Sequence, residues 1–80
     1  MDNIGDNIRK IRILLDIKQA AMAQMLSISV NYYGKIERNE VELKPERLAQ
    51  IANTLDVELM HIINFKQFLK TIRQQPESRC

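Results

Sequence analysis

The chain is poor in the residues that build special chemistry. It has one cysteine, one histidine, two glycines, two prolines and no tryptophan in 80 residues. A lone cysteine, Cys80, closes no internal disulfide, and together with His61 alone it makes no zinc site. No metal and no cofactor is expected. With so little glycine and proline there is no flexible linker, so one small domain is expected. No apolar run approaches the ~20 residues needed to cross a bilayer. The N-terminus, MDNIGDN, is polar and acidic, so no secretory leader and no membrane association are expected. The absence of cysteine pairs fits a reducing cytoplasm. Alternating strand patterns are almost absent. An excess of one charge is also missing: 12 basic against 10 acidic residues leave a net +2. Nucleic-acid binding here would depend on cations placed at a site rather than spread over the surface. His61, Cys80 and the carboxylates form no catalytic set, and there is no glycine-rich phosphate loop, so an enzyme is not expected. No small-molecule ligand is evident.

What is present is helical periodicity. Hydrophobic residues make up 45% of the chain, much of it Ile and Leu, which supports a core made by packing alone. Ile4, Ile8, Ile11 and Leu15 step by four, three and four, so they share one stripe of a first helix. The chain turns at DIKQ, where Asp16 is expected to cap a second helix with Gln19 in the capping-box position. Met22, Ala23 and Leu26 give that helix an apolar face. Ser29 is a natural N-cap for a third helix. Val30, Tyr33 and Ile36 mark its inner side. RNEVELKP reads as a loop, and Pro45 suits the first turn of a fourth helix. Leu43 and Leu48 are spaced as a hydrophobic staple, and Leu48, Ile51, Ala52 and Leu55 repeat at i, i+3, i+4 and i+7. Val57, Leu59, Ile62 and Ile63 predict a short fifth helix, and Phe65, Phe68, Leu69 and Ile72 a sixth segment. QQPESRC is a polar end. The expected fold is all-α, five helices around one core with an additional C-terminal helix.

Only Ser27, Ile28 and the Ser29 cap separate the second and third helices. That is the helix-turn-helix spacing, in which the second helix of the pair enters the DNA major groove. Tight corners are common in small helical proteins, so spacing alone is a weak signal. The run IGDNIRKIRILLDIKQAAMAQMLSISVNYYGKIERNE says more. It resembles the phage repressor and Cro (Cro/C1) type of helix-turn-helix, the XRE family. IRKIR in the first helix, Gln19, Ala23, Leu26, Ser29 and KIERN carry the resemblance, and ERLAQIANTLDVELMHIINF continues it to Phe65. The resemblance implies a five-helix lambda-repressor-like DNA-binding domain at residues 1–65, with the helix-turn-helix at about 19–37. Residues 66–80 would then be a C-terminal helix and polar tail. It further implies a transcriptional regulator that binds double-stranded DNA as a homodimer on a two-fold symmetric operator, with half-sites ~34 Å apart. Controllers of restriction–modification systems, some antitoxins and phage regulators share this size and resemblance. The sequence departs from the pattern at Asp16 and Asp56, which replace glycine, so those turns are expected to be built differently. Lys18 and Lys44 replace Ser or Thr caps. Asn39 replaces a glycine, whose left-handed conformation asparagine tolerates.

Candidate site residues follow. In similar proteins the residue at Gln19 hydrogen-bonds a DNA phosphate and braces the third helix, and a helix N-terminus favours phosphate. The plainer reading is that Gln19 only completes the box with Asp16. Ser29, Val30, Asn31, Gly34 and Lys35 are expected on the groove side. Asn31 suits a bidentate pair with adenine, Lys35 a guanine edge or phosphate, and Val30 the thymine methyl or else the core. Gly34 lowers helix stability by about 1 kcal/mol relative to alanine, which close approach of the backbone to DNA would offset. Tyr33 packs inward. Tyr32, about 100° away around the helix, is placed for a phosphate. Arg38, Asn39, Lys44 and Lys18 are expected to grip phosphates, or else to be solvated loop groups. By the resemblance, Arg12 and Glu37 form an ion pair that orients the third helix. Ile62, Phe65, Phe68, Leu69 and Ile72 are expected at a dimer interface, the alternative being a C-terminal helix folded back on its own domain. A reading from another class is a protein-interaction adaptor, antitoxin-like, with the same fold. It gives no reason for Gln19, Asn31, Lys35 and Arg38 to occur together.

Overall fold

Six helices make up most of residues 3–74, which are the residues described by the computed structural model. They are α1 (Ile4–Leu14), α2 (Gln19–Leu26), α3 (Val30–Glu37), α4 (Pro45–Leu55), α5 (Leu59–Ile63) and α6 (Phe65–Gln74). There is no strand among the described residues. Cys80 and the polar end beyond Gln74 lie outside them. α1 starts at Asn3, whose side chain accepts from the Asp6 N–H. Asp6 then pairs with Arg9 and Lys10 at i+3 and i+4. α4 starts at Pro45, as its missing N–H predicts.

Every helix contributes to one core. Ile8 and Ile11 of α1 meet Met22 and Leu26 of α2, Tyr33 and Ile36 of α3, Ile51 and Leu55 of α4, Ile62 of α5 and Phe68 of α6. Leu15, expected on the buried stripe, falls past the end of α1 and is 40% exposed. The last helix packs on its own domain. Phe68 is 5% exposed and meets the His61 ring edge-on at 5.7 Å. Phe65 lies half-buried under the Lys10 ammonium. This corrects the expected dimer surface: Ile62, at 0% exposure, and Phe68 are consumed by the monomer's core. Leu69 is half-buried and Ile72 exposed.

Four corners share one backbone design. Asp16, Ser27, Asn39 and Asp56 all take the left-handed conformation, with φ of 60°, 60°, 61° and 58°. At each, the following residue donates back to a carbonyl one turn inside the helix: Ile17 to Arg12, Ile28 to Ala23, Glu40 to Lys35 and Val57 to Ala52. This is the Schellman closure, usually built on glycine. The turns at Asp16 and Asp56 are therefore not built differently, contrary to expectation; aspartate adopts the glycine conformation there. Asp16 also does not cap α2. It is taken up by the end of α1, while Lys18 stands at the α2 N-cap without a side-chain cap bond. The box spacing was satisfied in sequence and not in space.

Both glycines lie inside helices instead. Of the four corner residues, serine tolerates the left-handed region least, since aspartate and asparagine bond their own backbone there. Ser27→Gly is expected to stabilise the chain by about 1 kcal/mol, raising the melting temperature by roughly 4–8 °C. Thermal unfolding followed by circular dichroism checks this, and an unchanged or lower transition counts against it.

Two side-chain amides, one buried and one exposed, fix α1. Asn7 is 1% exposed and donates its Nδ2 to the Ile62 carbonyl at 2.8 Å, tying α1 to α5. The Asn39 side chain accepts from the Gly5 N–H at 3.0 Å and donates to Asn3, tying α1 to the end of α3.

Candidate nucleic-acid interface

Ser27, Ile28 and Ser29 bend the chain between α2 and α3. The left-handed Ser27 turns the backbone, and Ile28 packs against the core. Ser29 then caps α3, its Oγ accepting from the Tyr32 N–H at 3.0 Å. One short helix thus divides sharply. Tyr33, Ile36 and Glu37 are buried, while Val30, Asn31, Tyr32, Lys35 and Arg38 are exposed. Val30 is 47% exposed, so it belongs to the outer face and not to the core.

The inner end of α3 is held by one carboxylate. Glu37 accepts from Arg12 Nε at 2.6 Å and Nη2 at 3.3 Å, and from Gln19 Nε2 at 2.9 Å. Arg12 Nη1 also donates to the Ile17 carbonyl at 2.7 Å. Three helices and the first corner therefore meet at Glu37. Burial pushes this carboxyl up, but the contacts from Arg12, Tyr33 and Gln19 outweigh it and hold the group below the ordinary glutamate value. Burial works against the Arg12 charge, yet Glu37 holds its pKa above the ordinary arginine value. The Tyr33 hydroxyl is buried beside them and completes no hydrogen bond of good geometry among the described residues. Burial first, then the Glu37 carboxylate, pushes its ionisation well above the usual phenol range. Gln19 opens α2 and braces α3; its second amide hydrogen is not used by the Glu37 bond.

The outer elements depart from expectation at two places. Gly34 is covered rather than open. A Cβ built there would meet Arg38 Nη1 at 3.0 Å, because the guanidinium folds back over the bare glycine. Asn39 is engaged with Asn3 and Gly5, so its side chain is not a loose loop group. Arg38 pairs with Glu40, Nε to Oε2 at 2.9 Å and Nη2 to Oε1 at 3.4 Å. The Arg38 bond, and after it the Lys35 charge, hold the Glu40 carboxyl below its ordinary value. Lys18 and Lys44 stand exposed at the N-caps of α2 and α4. Arg47, not among the expected site residues, donates to Gln50 Oε1 at 3.0 Å and reaches the Leu26 carbonyl at 3.5 Å. With Tyr32, Lys44 and Gln50 it lines a depression between α3 and α4 that Glu42 and Glu46 also border.

The arrangement offers amide, ammonium and guanidinium donors on one side of a rigidly held helix. That is chemistry for binding an anionic, hydrogen-bonding surface. No cluster of three or more metal-binding side chains occurs among the described residues. Among the same residues, no helix is long and apolar enough to cross a membrane.

Residues 8–62 match the family described as Helix-turn-helix. Similar solved structures include the P22 c2 repressor in complex with a synthetic operator, at 29% identity and a TM-score of 0.68, covering 78% of this chain and 94% of that one. The master regulator for biofilm formation SinR, in complex with DNA, has 22% identity and a TM-score of 0.69, covering 78% of this chain and all of that one (100%). The clp gene regulator ClgR from Corynebacterium glutamicum has 19% identity and a TM-score of 0.73, covering 90% and 80% of the two chains. No curated protein sequence matches.

Proposed function

The chain belongs to the helix-turn-helix family of DNA-binding transcriptional regulators, of the phage-repressor and Cro (XRE) type, and we propose that it reads double-stranded DNA by laying α3 in the major groove. The observation that carries this is the division of α3 into a locked face (Tyr33, Ile36 and Glu37) and an exposed face bearing Val30, Asn31 and Lys35. Asn31 pairs with an adenine edge, Lys35 takes a guanine edge or a phosphate, and the Val30 methyls meet thymine. Ser29 holds the first turn of α3 for these contacts. Gln19, with its remaining amide hydrogen and the free N–H groups of α2, takes a phosphate. Lys18, Tyr32, Arg38 and Lys44 grip the backbone on either side. Gly34 and Asn39 shape the site, one under Arg38 and the other against α1.

The active species is a homodimer on a two-fold symmetric operator. Of the residues first expected at the interface, Phe65, Leu69 and Ile72 remain at least partly accessible. Leu59, Met60 and Ile63 on α5, at 41%, 56% and 45% exposure, add an apolar edge that supports self-pairing. The cytoplasm is the compartment this function implies. A protein-interaction adaptor is the second reading, favoured by an apolar depression between α1 and α6 lined by Ile13, Leu14, Phe65 and Leu69.

Selection of bound duplexes from a random pool at moderate salt tests the reading. Recovery of a two-fold symmetric motif supports both the DNA function and the dimer. No enrichment by well-folded protein overturns the reading and leaves the adaptor.

A further inference from the structure

Three of the four left-handed corners are followed by an apolar residue that packs against the core: Ile17, Ile28 and Val57. That contact is the usual companion of the Schellman closure. The corner at the end of α3 breaks the rule. Its fourth counterpart is Glu40, charged and exposed. A local rule broken in an otherwise consistent fold points to function.

The backbone fixes where this carboxylate stands. The Glu40 N–H donates to the Lys35 carbonyl at 2.9 Å, and the Asn39 N–H to the Ile36 carbonyl at 3.1 Å. Asn39 itself is anchored to α1 through Gly5. Glu40 is therefore held at the C-terminal end of α3. There it takes the Arg38 guanidinium at two points, 2.9 and 3.4 Å, and feels the Lys35 charge. A cation assigned to DNA, Arg38, is thus already paired with an internal anion. A carboxylate gripping a guanidinium with two oxygens presents the same geometry as a phosphate.

We propose that Glu40 is an internal stand-in for a DNA phosphate, holding Arg38 over Gly34 until the DNA backbone takes its place. The inference rests on the DNA-binding reading and adds to it a residue that holds affinity down. Arg38 reaches a phosphate only by exchanging one anion for another, so its net contribution is small. Non-specific binding is almost wholly phosphate contact, so this exchange keeps it weak. Glu40 also makes a low net charge compatible with a cationic grip, because neutralisation is local and reversible.

The test is the Glu40→Gln variant, which keeps size and backbone bonding while removing the charge. Binding is measured by fluorescence anisotropy on the duplex recovered from selection and on a random-sequence duplex of equal length. Glu40→Gln is expected to bind both about fivefold more tightly at 50 mM salt, with the gain nearly gone at 300 mM. Its slope of log affinity against log salt should steepen by about 0.9, one added phosphate contact. Arg38→Ala should weaken Glu40→Gln several-fold more than it weakens the wild type. Unchanged affinity and slope would make the pair a surface contact without function and overturn the proposal. Weaker binding by Glu40→Gln would also overturn it, making Glu40 a residue that aims Arg38 at DNA. A wild-type chain that binds neither duplex removes the DNA reading itself, an outcome visible before any variant is compared.

Discussion

Gly5→Ala lowers the melting temperature by more than 10 °C, although alanine is the better helix former. In an exposed helix interior this change gains about 1 kcal/mol. Here the added Cβ would stand 2.4 Å from the Ile36 carbonyl oxygen and 2.8 Å from that of Glu37. Both are backbone atoms of α3, and α3 is fixed by Tyr33 and Ile36 in the core. Neither can swing aside as a side chain would. The start of α1 must lift, which also breaks the Gly5 bond to Asn39. Overpacking costs about 1–3 kcal/mol, and a clash with fixed backbone belongs at the upper end. For a domain of this size ~3 kcal/mol corresponds to roughly 12–24 °C. Gly34→Ala is the control. Its Cβ would meet only the far end of the Arg38 side chain, which can move. That variant should match or exceed the wild type by up to about 1 kcal/mol. Thermal unfolding of both variants checks the pair. A Gly5→Ala chain as stable as the wild type means the α1–α3 approach is not as close as described.

The second large effect is at Glu37. Glu37→Ala strands the Arg12 guanidinium, whose side chain is only 11% exposed, and also frees Gln19. Removing one partner of a buried pair costs about 3–5 kcal/mol. Lys35→Ala, two residues away on the exposed face, should stay within about 0.5 kcal/mol of the wild type. Denaturant titration separates them, and equal midpoints would refute the structural role of the pair. The same group predicts a pH dependence. The folded-state pKa of Glu37 is depressed, so its contribution is fully present above the unfolded value of about 4.3. It is lost as pH falls through the lower folded value, because the unfolded chain takes up the proton first. Wild-type stability should therefore fall below about pH 5, and Glu37→Gln, which cannot titrate, should fall less steeply over that window.

The helices and most of the core were legible because spacing alone brings residues to one face. Ser29 as a cap, Pro45 at a helix start and the opposed faces of Tyr33 and Asn31 are all local consequences of sequence. What was not legible depends on distant approach. Gly5 meets α3 across more than thirty positions, and Asn7 finds a carbonyl on α5. No local pattern encodes either contact. Asp16 was misread because its spacing to Gln19 fits a capping box, while the same residue also fits the left-handed end of α1, and the end of α1 won. Gly34 looked like room for DNA and proved to be room for Arg38. Ile62 and Phe68 looked like an interface because an amphipathic stripe does not say whether its partner is the same chain.

Whether α3 reads bases is decided most directly by repeating the duplex selection with Asn31→Ala. Asn31 is exposed in the first turn of α3 and holds no contact that the fold needs. The variant should stay folded and recover a motif that has lost its adenine preference at one pair of symmetry-related positions. Affinity for the wild-type motif should drop by about 1–3 kcal/mol, with the salt slope unchanged. Recovery of the same motif with the same preferences would contradict reading by this helix.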